Sequence, residues 1–301
     1  MPEPRAAEHG IAGHALVELT RIYRYPIKSC RRDELQQAEV EPWGLTGDRR
    51  WMVVDSDNAV VTAREYPQLL GVTPRIDGTG LRLSAPGRPD LTVKIPDGSD
   101  LARVRVWKSS LDAALPSPDV HAWFSDVVGR PVRLVYLDDP RRRKPNAEFS
   151  RPDDRVTFAD GYPLLLATEE SLTALNDWIA EGPRADEGPL PMTRFRPNVV
   201  VRGAPAWAED GWRRIRVGDV TFRVVKGCDR CVLTMIDPET LAKTKEPIAT
   251  LARYRKWDGM TWFAMNVIPD APAPGATLRV GDPVEILEQV DTSDGPPRPA
   301  R

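Results

Sequence analysis

Short apolar runs separated by Gly, Pro and Asp dominate this chain, and most are too brief to be helices. Residues 15–30 (ALVELTRIYRYPIKSC) open with alternating apolar positions, the mark of a half-buried strand, and pass through Pro26 into a polar turn. The runs WMVVD (51–55) and AVVTA (59–63) flank Ser56, Asp57 and Asn58, which predicts a β-hairpin. Further strands are expected near 81–84, 91–95 and 103–107, with Gly, Pro and Asp between them. The first portion therefore reads as mainly β, a small barrel or sandwich.

Helical spacing emerges at 118–128, where Val120, Trp123, Phe124, Val127 and Val128 share one face. Ser117 is placed to cap this helix, Pro118 suits its first turn and Gly129 its end. A polar, Arg- and Pro-rich stretch from Asp138 to Asp154 follows and marks a domain boundary. A second helix is predicted after Thr168, a good N-cap, with Leu172, Leu175, Trp178 and Ile179 on one face and Gly182 near its end. Beyond it, strands are predicted at 198–201, 213–217 and 220–225, the last two joined by Gly218-Asp219. The run TLRVGDPVEIL (277–287) repeats the strand, Gly-Asp, strand layout, and residues 291–301 have the composition of a loose tail.

A length of 301 residues suits two domains, each burying its own core, which we divide at 15–130 and 131–290. With 42 basic and 44 acidic residues the chain has no overall electrostatic footprint for nucleic acid. The run Arg141, Arg142, Arg143, Lys144 reads as a solvated loop in preference to an anion patch. No apolar run approaches the roughly 18 residues that span a bilayer, and the N-terminus lacks the layout of a secretory signal, so a cytoplasmic location is the expectation. Three cysteines make no disulfide framework and suit a reducing compartment.

Cys228 and Cys231 form a C-x-x-C pair within KGCDRCVLTMIDPET (226–240). A structural zinc site needs four ligands, and Cys30, His9, His14 and His121 complete no zinc spacing. A thioredoxin-like dithiol would open a helix, whereas VLTMIDP lacks a helical pattern. Taken alone, the pair reads most simply as inert packing, the usual fate of free cysteines. Arg230 beside Cys231 points the other way, because a nearby cation favours the thiolate that soft metals bind.

The segment resembles the signature of the MOSC domain, shared by molybdenum cofactor sulfurase C-terminal domains and amidoxime-reducing proteins. Cys228, Arg230, Cys231, Thr234, Asp237, Pro238 and Thr240 match the form C-x-R-C-x-x-T-x-x-D-P-x-T. YPIKSC (25–30), GLTGDRRWMVVD (44–55) and VTAREYPQL (61–69) resemble the β-barrel domain that precedes it in the amidoxime-reducing group. FRPNVVV (195–201), KTKEPIATLARYR (243–255) and LRVGDPVEIL (278–287) continue the likeness in order.

The resemblance implies a mainly β fold with some α: an N-terminal β-barrel-like domain followed by a MOSC β-barrel with peripheral helices. It implies a molybdenum-molybdopterin cofactor with Cys231 as ligand to the metal. Lys28, Ser29 and Arg49 from the first domain, and Asp160, Gly161, Tyr162, Arg196, Asp229 and Arg230 from the second, are its expected contacts. A phosphate-bearing pterin needs cations and backbone donors, which agrees with these residue types, and the cofactor would lie between the domains. Trp262, near an aromatic contact of the family, reads as core. Neither Lys28 nor Arg49 belongs to an apolar periodic face, so both are expected to be removable with the fold intact.

The implied activity is reduction of small N-hydroxylated substrates, with electrons from a separate ferredoxin, flavoprotein or cytochrome b5-like donor. Three cysteines cannot supply a plant-type iron–sulfur site. Two alternatives are a cofactor carrier or sulfur-transfer module without turnover, and a metal-free binding protein on the same scaffold. No pyridoxal-dependent sulfurase domain accompanies the motifs.

Overall fold

The computed structural model describes residues 16–78, 80–292 and 295–298. Residue 15, at the expected start of the first strand, and 293–294 and 299–301 of the expected tail lie outside them.

The largest sheet draws on both ends of the chain. Its hydrogen-bonded order is Val284–Gln289, Trp212–Val217, Val220–Asp229, Met260–Pro269, Leu164–Thr168, Val199–Arg202, Glu18–Arg24 and Asp33–Leu35, with Lys256–Trp257 paired to the side of Met260–Pro269. All its pairings are antiparallel except Leu164–Thr168 with Val199–Arg202. A parallel step needs a crossover, and the helix Glu169–Ala180 lies within the connection that makes it. The run Leu164–Thr168 is buried throughout because alternate side chains enter two cores. Leu164 and Leu166 pack with Leu19, Ile22 and Met265, whereas Leu165 and Ala167 pack with Tyr23, Leu175 and Phe263.

The other half holds a four-stranded sheet, ordered Trp51–Val54, Arg133–Tyr136, Ser109–Ala114 and Leu101–Val106, and a three-stranded sheet of Thr73–Asp77, Gly80–Ser84 and Leu91–Lys94. Trp51 and Val53 meet the helix Pro118–Val128 through Val120 and Phe124, while Met52 and Val54 face Val104, Leu111 and Phe158. Mainly β is thus the fold class. Neither expected barrel is closed by a continuous ladder. The large sheet instead curls until a single bridge joins Glu18 to Pro283, flanked by Leu19 N–H on the Asp282 carbonyl (2.9 Å) and Val284 N–H on the Val17 carbonyl (2.7 Å).

The two expected helices form where the spacing places them, and a third, Ile248–Tyr254, joins them. Thr168 caps the second by accepting the Ser171 N–H, and Gly129 ends the first in the left-handed conformation, but Ser117 makes no side-chain cap. The second helix stops at Ala180, before Gly182.

The first expected hairpin forms in a short version: after the turn at Asn58, Val60 bridges Val54 antiparallel, with Asp55 N–H on the Ala59 carbonyl (2.9 Å) and Val61 N–H on the Val53 carbonyl (2.8 Å), and Ala59 also bridges Arg105, so that two edges of one sheet are stitched together. The second expected hairpin is corrected. Thr277–Arg279 pairs with Gln37–Glu41, and Val284–Gln289 pairs with Trp212–Val217, so the two halves of TLRVGDPVEIL part to different sheets. Local turn chemistry cannot reveal a distant partner with a better-matched edge.

Strand pairing also ignores a linear division of the chain. Leu19, Ile22, Ala38, Val40 and Leu45 share a core with residues 164–284, while Arg133–Tyr136 completes the sheet of the first half. The tail is not loose where it is described: the Pro297 carbonyl accepts the Gly227 N–H at 2.8 Å.

Candidate functional site

Between these two halves lies a cleft of about 390 Å³, and all ten expected site residues line it: Lys28, Ser29, Arg49, Asp160, Gly161, Tyr162, Arg196, Asp229, Arg230 and Cys231. Seven of its lining side chains are cationic and two are carboxylates, in a chain whose net charge is −2. The positive charge is therefore concentrated where the cleft is.

Turns and loops present the cations, except Lys226 on the strand Val220–Asp229. Lys28 follows the bridge between Ile27 and Trp51, donates its own N–H to the Trp51 carbonyl, and is only 6% exposed. Its Nζ donates to the Phe158 carbonyl at 2.8 Å and to the Asp160 carboxylate. Burial pulls the Lys28 ammonium down to about 8, against the pull of Asp160. Burial alone would raise the Asp160 carboxyl, but Lys28, Arg64 and Arg49 outweigh it and hold it well below the usual range.

Arg49 is fixed by Asp48 (2.6 Å), the Asn198 side-chain oxygen (2.8 Å) and the Arg196 carbonyl (3.3 Å). Arg196 donates to the Cys30 carbonyl at 2.8 Å. The two guanidiniums lie 4.4 Å and 4.3 Å from the centroid of the Tyr25 ring, whose hydroxyl burial drives up to about 12. Ser29, Arg49 and Arg196 all have positive φ (71°, 46° and 57°), a conformation costing about 1–2 kcal/mol for an L-residue. Strain of this kind collects at binding and catalytic sites.

The cysteine loop is built by the residues around it. Thr234 donates both its N–H (3.1 Å) and its hydroxyl (2.9 Å) to the Cys231 carbonyl. Asp237 accepts the N–H groups of Glu239 and Thr240 and pairs with Arg194 at 3.3 Å, so the Asp-Pro turn has a partner inside the cleft wall. Contrary to the expectation from adjacency, the Arg230 guanidinium addresses Cys228: Nη1 lies 2.8 Å from the Cys228 Sγ, and Nη2 donates to the Phe195 carbonyl. Burial raises the Cys228 thiol, and Arg230 opposes it only in part. Among the described residues no hydrogen bond reaches the Cys231 Sγ. Trp262 is core as expected, 2% exposed.

Arg64, Trp107, Arg194, Asn198 and Lys226 also line the cleft and were not among the expected site residues. Asn198 carries a detectable signal, the Arg-Pro-Asn strand: it is fully buried, accepts Arg49 and the Leu165 N–H, and donates to the Tyr23 carbonyl. The basic run 141–144 also departs from its solvated reading at one position. Arg143 is 4% exposed, and its guanidinium holds the carbonyls of Thr157, Ala159 (2.5 Å) and Asp160 (3.0 Å). Burial lowers it to about 10. It positions the Asp160–Gly161 turn from behind.

Residues 16–131 match the MOSC N-terminal beta barrel domain, and residues 153–285 match the MOSC domain. The chain is 32% identical to mitochondrial amidoxime-reducing component 1 of Homo sapiens, across 90% of this chain and 83% of that protein. It is 33% identical to its counterpart in Mus musculus, across 90% and 82%. Identity to the molybdenum cofactor sulfurase of Oryza sativa subsp. japonica is 30%, across 83% of this chain but 32% of that longer protein.

Proposed function

The chain belongs to the MOSC family, in its two-domain form with the N-terminal beta barrel domain, and on that premise we propose that it is a molybdenum cofactor-dependent reductase of N-hydroxylated substrates. Amidoximes, hydroxylamines and N-hydroxylated bases are the intended class. The observation that carries the reading is convergence: residues 28, 29, 49, 160–162, 196 and 229–231, many of them far apart in sequence, line one cationic cleft.

The cleft fits the group. A polyanionic pterin with a soft metal asks for cations, unused donors and sulfur. Lys28, Arg49, Arg196 and Arg230 supply the cations, and Cys228 and Cys231 the sulfur. Among the described residues the Tyr162 hydroxyl, at the cleft wall, is buried without a hydrogen-bond partner, as expected of a donor awaiting a ligand. The bound group would supply the two-electron redox chemistry that cleaves the substrate's N–O bond and, with two protons, releases water.

The protein's part is binding and orientation. Lys28, Ser29, Arg49 and Arg196 hold the anionic end, with Asp48, Asn198 and Tyr25 keeping the guanidiniums in place. Cys231, whose sulfur is left free for a metal, is the ligand in this reading. Cys228 is kept as a thiol held by Arg230. Electrons would come from a separate donor protein of ferredoxin, flavoprotein or cytochrome b5-like type.

One paired measurement tests this: molybdenum and pterin content of protein made in a cofactor-competent host, and reduction of benzamidoxime or a hydroxylamine with an artificial electron donor. Metal with turnover is the expected result. Metal without turnover would make the chain a carrier or sulfur-transfer module, and absence of metal would leave only the scaffold.

A further inference from the structure

The hairpin joining Leu101–Val106 to Ser109–Ala114 turns on Trp107 and Lys108, since Val106 faces Ser109 in the ladder. Trp107 has a φ of 53°, the left-handed region that such tight turns give to glycine or asparagine. A bulky aromatic there strains the backbone, and burial does not compensate: Trp107 is 40% exposed and belongs to none of the four apolar cores. It lines the cleft instead.

Two cations hold the ring where it stands. The Arg64 guanidinium lies 4.8 Å and the Lys28 ammonium 5.4 Å from its centroid, and both also reach the Asp160 carboxylate. A strained, exposed aromatic that is anchored at the wall of a ligand cleft is kept for something that arrives from solvent.

We propose that Trp107 is a stacking subsite for the planar, conjugated part of the substrate, so that aryl amidoximes and N-hydroxylated bases bind in preference to alkyl N-hydroxylated compounds. The inference rests on the reading of the cleft as an N-hydroxyl reductase. Every base and aryl ring has a π-face for an indole to meet, and an alkyl group has none.

The test uses cofactor-loaded, oxidised protein without reductant, so that no turnover occurs and affinity is read by calorimetry. Benzamidoxime and acetamidoxime are titrated into the parent, Trp107→Phe and Trp107→Asn. Asparagine is at home in a left-handed turn, so Trp107→Asn folds and melts no lower than the parent. The expected result is that Trp107→Asn weakens benzamidoxime by roughly tenfold and acetamidoxime far less, while Trp107→Phe retains most of the preference. In steady state the same split appears as a raised KM for benzamidoxime with kcat nearly kept. Equal effects on both amidoximes, no effect on either, or loss of pterin from Trp107→Asn would each overturn the subsite. Reduction of both amidoximes to the same extent by the parent and by Trp107→Asn would remove the subsite and leave the reductase reading standing. A parent that binds neither amidoxime would remove both.

Discussion

Tyr25 is the residue that makes two distant arginines act as one. Both guanidiniums, of Arg49 and Arg196, pack against its ring, and its backbone ties into the same knot, since its N–H donates to Asp48 at 2.7 Å and its carbonyl accepts the Arg49 N–H. The adjacent Asp48 offers Arg49 a partner in the sequence itself, but the contacts through Tyr25 were not legible there, and Arg49 reads as a removable charge because no apolar periodicity includes it. The structure reverses that expectation: Asp48, its partner, is 1% exposed. Arg49→Ala should therefore cost about 3–5 kcal/mol by stranding a buried carboxylate, seen as a lowered Tm in the cofactor-free protein. A melting curve that matched the parent's would return Arg49 to the surface-charge reading.

That the cysteines lie at the cleft was better legible, because the spacing of seven matched positions carries information that C-x-x-C alone lacks. Cys231→Ser should abolish reductase activity while pterin is largely retained, since serine is a harder and far less readily ionised donor. Cys228→Ser should keep substantial activity, altering the contacts of that sulfur to Arg230 and the Asp229 carbonyl. Activity, metal and pterin content of both single variants decide the matter, and an inactive Cys228→Ser beside an active Cys231→Ser would reverse the assignment.

At the scale of elements, the helix Ile248–Tyr254 was not foreseen, whereas the helices Pro118–Val128 and Glu169–Ala180 were legible because their faces and ends are local. Gly129 shows how local: its φ is 80°, and an added Cβ would meet nothing within 4 Å. Gly129→Ala should thus cost about 1–2 kcal/mol through backbone strain alone, measurable by denaturant unfolding. Strands were legible where they alternate and hidden where they do not. Ser109–Ala114 (SSLDAA) has little apolar pattern to announce it.

Glu209 was not foreseen at all. It is 1% exposed, and its carboxylate accepts the Thr168 and Ser171 hydroxyls beneath the start of the helix Glu169–Ala180. Burial, aided by Asp210, pushes its carboxyl from 4.5 up to about 7. Between those values the folded state holds more protons than the unfolded one, so this group's contribution to stability falls as pH rises from 4.5 to about 7. The loss amounts to roughly 3 kcal/mol at most. Glu209→Gln should flatten that part of the pH profile in chemical denaturation, and an unchanged slope would exonerate Glu209.

For the whole molecule, the sequence revealed two β-rich portions in the right order but not how they share strands. Pairing of Glu18–Arg24 with Val199–Arg202 joins residues about 180 positions apart, which no local pattern can encode. The expected consequence is that residues 15–130 and 131–301, made separately, lack the cooperative unfolding of the full chain. Either fragment melting as a sharp two-state unit by circular dichroism would show that the shared strands are dispensable. Electron supply is also a property at this scale. The chain has three cysteines, one of them the fully buried Cys30, too few for a plant-type cluster. Cofactor-loaded protein should show no turnover with NADH alone and acquire it when a donor system is added.

The strand that leads into the cysteine loop has a second attachment. Gly227 gives its N–H to the Pro297 carbonyl at 2.8 Å, and Pro296 sits so close that a Cβ on Gly227 would come within 2.8 Å of it. Because Gly227 immediately precedes Cys228, Pro296 and Pro297 act as a tether on the sulfur-bearing loop. Replacing that pair of prolines becomes a way to slacken the cysteine loop without altering any residue that lines the cleft.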